Sequence, residues 1–303
     1  MRISRRRVLE LGVGAVSSAV VVACGGAPRT GSPTETATPT PTAGPTTAAV
    51  PAPSTTTSTA PTPDPRAVAT ANAGRVPRQW GVEVTGVHTR LVDAGAPGAP
   101  TLALTFDACG GPGGSGVDDA LIDLLEREQI PATLFINRRW IDANPTVTER
   151  LVASSLFEIG NHGTRHLPLS VNGRSAYDIP GTVDAYDAAE EVWVNHETLS
   201  ALMGRPPLWF RSGTAHYDEV ATSIAIELGE QPVGFTTNGD FGATAGPTQV
   251  AAEVLGAPPG GIVLAHMNQP AGGTAAGVAA ALGRLRSSGT RLVTLSGGGG
   301  TRP

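Results

Sequence analysis

Thr101-Leu102-Ala103-Leu104-Thr105-Phe106-Asp107 is a short apolar run that ends on a carboxylate. Its length suits a buried strand, and the Ala108-Cys109-Gly110-Gly111 that follows lets the chain turn away. Similar runs recur at 132–136, 156–159, 208–211, 233–237, 261–265 and 291–294. Helix-like stretches separate them, at 117–128, 146–154, 183–203, 218–228, 248–255 and 275–286. The first of these places Leu121, Leu124 and Leu125 on one face. Strand–helix alternation of this kind predicts an α/β fold, a parallel sheet with helices outside. So many strands in one domain favour a barrel over an open sheet, with the active site at the C-terminal ends of the strands.

The polar residues fall at those ends. Asp107 closes the first strand, and Asn161-His162-Gly163-Thr164-Arg165-His166 follows the third. Arg211 ends the fourth strand, Asp240 follows the fifth, and His266 ends the sixth. Two imidazoles four residues apart can converge on one cation, and a carboxylate from a neighbouring strand can meet them there. The combination points to metal-assisted attack on a carbonyl. Gly160 and Gly163 flank the first histidine and permit a sharp turn. Two incidental surface histidines would have no matching polar residues at the other strand ends.

The start of the chain reads differently. Residues 1–24 form an export signal, with Ser4-Arg5-Arg6-Arg7-Val8-Leu9 before an apolar stretch too short to span a bilayer comfortably. Val21-Val22-Ala23-Cys24 followed by Gly25-Gly26 resembles a bacterial lipoprotein signal. That predicts lipidation of Cys24 and anchoring on the outer face of the cytoplasmic membrane. Residues 25–74, rich in Thr, Pro, Ala, Ser and Gly, read as a disordered tether. Residues 75–303 remain for a single catalytic domain, with 79–91 adding a short flanking strand. A formal charge of −5, from 21 basic and 26 acidic residues, argues against nucleic acid as a partner. Cys109 is the only other cysteine, so no intrachain disulfide forms once Cys24 is acylated.

From Thr101 to Thr294 the chain resembles the polysaccharide deacetylases of the NodB-homology type, carbohydrate esterase family 4. The resemblance rests on Thr105-Phe106-Asp107, Asn161-His162 through His166, Phe210-Arg211 and Leu264-Ala265-His266, in that order. It implies a distorted (β/α)7 barrel, a divalent metal, commonly zinc, and hydrolysis of acetyl groups on a glycan such as peptidoglycan. It also implies roles. His162 and His166 hold the metal, Asp107 is the general base, and His266 is the general acid. Arg211 fixes the base carboxylate, and Asp240 supports His266.

One departure bears on the metal. The family pattern has a second aspartate, a metal ligand, where this chain has Ala108. A catalytic zinc usually has three protein ligands. Asp107 is therefore counted with His162 and His166 as a metal donor. Asp118 and Asp119 read more simply as helix N-terminal residues. Cys109 could ligate a soft metal, although its place in the family pattern lies beside the metal site. Ser212-Gly213-Thr214 also departs from the family's third motif. Two other functions stay open: a C–N hydrolase of a non-sugar amide or cyclic imide, and a catalytically inactive glycan-binding lipoprotein.

Overall fold

The computed structural model describes residues 62–91 and 100–298. The export-type start, Cys24 and the tether as far as residue 61 lie outside the described residues. The elements run α1 (Pro65–Asn72), β1 (Thr101–Ala108), α2 (Asp119–Arg127), β2 (Ala132–Ile136), α3 (Arg138–Ala143), α4 (Pro145–Ala153), β3 (Phe157–Asn161) and α5 (Ala185–Met203). They continue with β4 (Trp209–Phe210), α6 (Glu219–Glu227), β5 (Gln231–Pro232), β6 (Thr237–Asn238), α7 (Pro247–Gly256), β7 (Gly261–His266), α8 (Thr274–Ser287) and β8 (Arg291–Val293).

The strands form one parallel sheet in the order β5-β4-β3-β2-β1-β7-β6, curled into a half-barrel with helices around it. β7 pairs with β1 over Leu102–Asp107. β2 pairs with the C-terminal half of β1, and β8 with its first residues, Thr101 to Ala103. β5 and β6 do not pair with each other. The segment around His88 and Arg90 lies between their neighbourhoods, making bridges to Val233 and Gly261. The flanking strand expected at 79–91 is thus reduced to isolated bridges.

Residue parity along β1 sorts the chemistry from the packing. Leu102, Leu104, Phe106 and Ala108 join the core between sheet and helices. Ala103 instead joins the barrel interior, with Phe135, Trp209, Val233 and Ile262. Thr105 and Asp107 share Ala103's side of the strand, so the only carboxylate of β1 faces the interior.

Two expectations need correcting. The strand expected at 233–237 is not continuous, because its backbone is used elsewhere. Pro232 has no N–H, Gly234 donates to His88 O (2.9 Å), and Gly234 O accepts from Arg211 Nη2 (3.0 Å). The tether does not extend to residue 74. Asp64 caps α1 by accepting from the Arg66 and Ala67 N–H groups, and Pro65 opens the helix. α1 packs on α5 and α6, burying Ala69 and Asn72, and Asn72 donates to Glu227 Oε2 (2.9 Å). Composition concealed this, since an Ala-rich helix and a low-complexity tether draw on the same residues.

Candidate active site

The interior end of β1 carries a fully buried ion pair. Arg211 Nη1 donates to Asp107 Oδ1 at 2.8 Å and to Thr105 Oγ1 at 2.9 Å. The guanidinium carbon stacks 4.2 Å over the Phe135 ring. Burial pushes the Asp107 carboxyl up, but the adjacent Arg211 charge and the nearby His162 and His266 outweigh it and hold the group below its ordinary range. Arg211 leaves β4 at the same level because its N–H bonds to Asn161 O of β3 (2.8 Å).

The two histidines come from the end of β3 and the loop after it. His162 Nδ1–H donates to Arg211 O (2.9 Å), which leaves Nε2 free to face inward. Asn137, just after β2, ties the loop by donating to the carbonyls of His162 and Gly163. Gly163 sits at φ +78°, and a Cβ there would come within 2.5 Å of Glu191 Oε1. Buried Glu191 of α5 accepts from the N–H groups of Arg165 and Leu167, so it frames the turn on which His166 sits. His166 itself has φ +65°. Gly213 packs on it so closely that a Cβ would fall 2.2 Å from the His166 carbonyl carbon. His166 Nε2 is buried without a hydrogen-bond partner. A buried polar atom left in that condition is costly unless something binds it.

The donor atoms of Cys109, His162 and His166 all lie within 4.8 Å of one another, and Cys109 Sγ is 3.8 Å from His162 Nε2. Asp107 borders this cluster, with Oδ2 3.7 Å from His162 Nε2, while its other oxygen is held by Arg211. The expectation counted Asp107 with the two histidines; Cys109 Sγ is the atom that groups with both imidazoles, while Asp107 lies at the edge of the cluster. Strand parity is the reason. Positions 107 and 109 share a face, whereas Ala108 is buried in the outer core. Asp118 and Asp119 are not in the cluster. Asp118 caps α2 by accepting from Leu121 N–H (3.0 Å), and Asp119 begins that helix. The unpartnered imidazole nitrogen, the second free Nε2 and the nearby thiol make a donor set that suits a divalent metal.

Across the opening, His266 Nδ1 is 2.8 Å from Asp240 Oδ1, and the His266 N–H donates to Asp240 Oδ2 (2.7 Å). Thr274 Oγ1 also donates to Asp240. Burial pushes the His266 imidazole down, but the Asp240 hydrogen bond and the neighbouring Cys109 carry it well above its usual value. Asp240 is held low by the same pairing despite its burial.

A cleft of about 370 Å³ opens over these groups, lined by Asp107, His166, Gly213, Thr214, Leu264 and His266 among others. A second lobe of about 300 Å³ shares His166, Gly242 and His266 with it and runs along the 109–114 loop to Arg139 and Gln269. Tyr177 and Phe241 stand at the rim of the first lobe, 75% and 44% exposed, both with positive φ. Thr214 Oγ1 is buried at the cleft with no partner. The N–H groups of Ser212 and Gly213 are spent on Tyr217 Oη and Leu167 O. Asn137, Glu191 and Thr214 escape a reading by motif, because an Asn after a strand or a Glu inside a helix carries no signal of its own.

The curled parallel half-barrel is shared with carbohydrate esterases of family 4. The fold is similar to that of a family 4 pseudoenzyme from Bacillus anthracis (TM-score 0.55, 18% identity, 66% of this chain and 65% of that one). It is also similar to a peptidoglycan N-acetylglucosamine deacetylase (TM-score 0.57, 22% identity, 70% and 91%). A third likeness is to a family 4 acetyl xylan esterase from Clostridium thermocellum in complex with a cobalt ion (TM-score 0.52, 24% identity, 65% and 88%). A family model described as polysaccharide deacetylase matches residues 94–233, a little under half of the chain. Over 87 residues, 29% of this chain, it is 34% identical to a chitooligosaccharide deacetylase of Sinorhizobium fredii. That stretch spans 39% of the relative's length. Asp240 and His266 lie beyond the segment that the family model matches.

Proposed function

We propose that this protein is a metal-dependent hydrolase that removes acetyl groups from a cell-envelope glycan such as peptidoglycan. One observation carries the reading. An ionised carboxylate, Asp107 on Arg211, and a protonated imidazole, His266 on Asp240, face one cleft beside a cluster of free metal donors. Two titratable groups driven apart in pKa are the arrangement that acid–base hydrolysis requires.

His162 and His166 would hold the metal, which supplies Lewis-acid polarisation of an acetyl carbonyl and of water. Asp107 accepts the proton of the attacking water, and Arg211 keeps it ionised to do so. His266 donates its Nε2 proton to the departing amine or alcohol, with Nδ1–H held by Asp240 in the correct orientation. Thr214 Oγ1, buried at the cleft without a partner, would donate to the acyl oxygen. The two lobes meeting at His266 and His166 suit a ligand that continues on both sides of the reacting group. The exposed rings of Tyr177 and Phe241 offer apolar faces on which a pyranose can stack. Their strained backbones are of the kind found at ligand clamps.

The export-type start and Cys24 support an envelope location, with the domain held from the outer face of the cytoplasmic membrane by a lipidated Cys24. Labelling with a radioactive fatty acid, lost in Cys24→Ser, would check this. An inactive glycan binder is the second reading, favoured by Ala108 and by the likeness to a pseudoenzyme. A binder has no use for an oriented base and acid. Acetate release from N- and O-acetylated chitooligosaccharides, acetylated xylan and peptidoglycan separates the two, measured with zinc or cobalt present on wild type and Asp107→Asn. Release by wild type, reduced about a hundredfold or more in the variant, is expected. Glycan binding with no acetate from any substrate would establish the second reading.

A further inference from the structure

We infer that the thiolate of Cys109 is the third protein ligand of the metal and that Asp107 stays off it; this rests on the metal-dependent reading above. The donor geometry is the first ground. Metal–imidazole bonds near 2.0–2.1 Å and a metal–thiolate bond near 2.3 Å set donor atoms of a tetrahedral site roughly 3.3–3.7 Å apart. Cys109 Sγ stands 3.8 Å from His162 Nε2, and the three donors lie within 4.8 Å of one another.

The second ground is what each donor has left to give. His162 spends Nδ1 on Arg211 O, so only Nε2 is free. His166 Nε2 is buried and bonded to nothing in the protein. Asp107 has already committed Oδ1 to Arg211. Moving it onto a metal would leave one carboxylate to serve as both ligand and proton acceptor.

The third ground is strand parity. The residue next to Asp107 faces the outer core, where Ala108 is fully buried. The next residue to return to the interior is Cys109. A Cys–His–His set leaves a fourth position for water or substrate, and it selects chemically. A thiolate prefers zinc or cobalt and discriminates against magnesium, calcium and manganese, which take oxygen donors.

The test uses the full chain loaded with cobalt(II). A thiolate ligand gives a sulfur-to-cobalt charge-transfer band in the near ultraviolet, which an all-nitrogen and oxygen site lacks. Wild type is expected to show the band at one cobalt per chain. Cys109→Asp should bind cobalt without the band, and Cys109→Ala should lose at least about tenfold in metal affinity. The Asp variant guards against a folding defect, since it keeps a donor at the same place. Stoichiometric cobalt in wild type with no band would overturn the inference, as would unchanged affinity in Cys109→Ala. Acetate release without the band would sink the thiolate ligand and leave the deacetylase reading standing. The band without acetate from any substrate would do the reverse.

Discussion

Asp107 and Arg211 meet at 2.8 Å, with Arg211 wholly buried and Asp107 showing only a sliver of its side chain to the cleft, and Arg211 makes the contact from the chain just after β4. Breaking such a pair from one side leaves a buried charge without its partner. Arg211→Gln should therefore move the acid limb of the pH–rate profile to higher pH, because the Asp107 pKa rises once the largest charge opposing burial is gone. The variant should also be less stable by about 3–5 kcal/mol near neutrality. The sign is fixed by linkage. A carboxylate held low contributes stability above its unfolded pKa and loses it as pH falls through the folded value. Wild type and variant should thus converge in acid denaturation. An acid limb that stays in place would remove Arg211 from control of the base.

His266 depends on Asp240 in the opposite sense. Asp240→Asn should lower the His266 pKa and move the basic limb of the rate profile to lower pH. Stability responds accordingly. The raised His266 value contributes below the unfolded imidazole pKa, and this is lost as pH rises through the folded value. Turnover should fall by about tenfold to a hundredfold, the usual range for losing an orienting partner, with metal content unchanged. Loss of metal in this variant would show that Asp240 serves the metal loop and not the acid.

Gly213 tests the packing of the metal loop without touching a donor atom. A Cβ there would collide with the His166 backbone, at 2.2 Å from its carbonyl carbon. Gly213→Ala should displace His166, weaken metal binding and cost about 1–3 kcal/mol in stability. Isothermal titration with zinc, alongside denaturant unfolding, reads both effects. Unchanged metal affinity would mean that the loop accommodates the methyl group elsewhere.

The domain boundary is testable by truncation. A chain starting at residue 62 keeps α1 with its Asp64 cap, whereas one starting at residue 75 exposes the surfaces of α5 and α6 that α1 covers. The shorter chain should melt at lower temperature. Equal melting temperatures would make α1 an ornament of the domain and restore the boundary at 75.

Much of this arrangement was legible in the sequence because strand ends announce themselves. An apolar run that stops at Asp107, Arg211 or His266 marks both the strand and the polar group at its C-terminal end, and both follow from one pattern. Local composition does not specify how a strand is shared. Pro232 and Gly234 lie within an apolar run, yet the backbone around them serves His88 and Arg211 in place of a continuous ladder. The same holds for Cys109. Its spacing from Asp107 was visible, but reading it as a donor required knowing that Ala108 turns outward into the core. Glu191 is legible only in three dimensions, since its partners are backbone groups of a loop more than twenty residues earlier.

The bridge from Arg90 to Gly261, with the Leu91 N–H on Gly260 O at 3.0 Å, has a consequence for synthesis. The segment around residue 90 emerges early, and its partner appears only after some 170 further residues. The gap between the sheet margins cannot be bridged until nearly the whole domain is out. Contacts of such sequence separation form slowly, so the unfinished chain must pass a long interval with open strand margins.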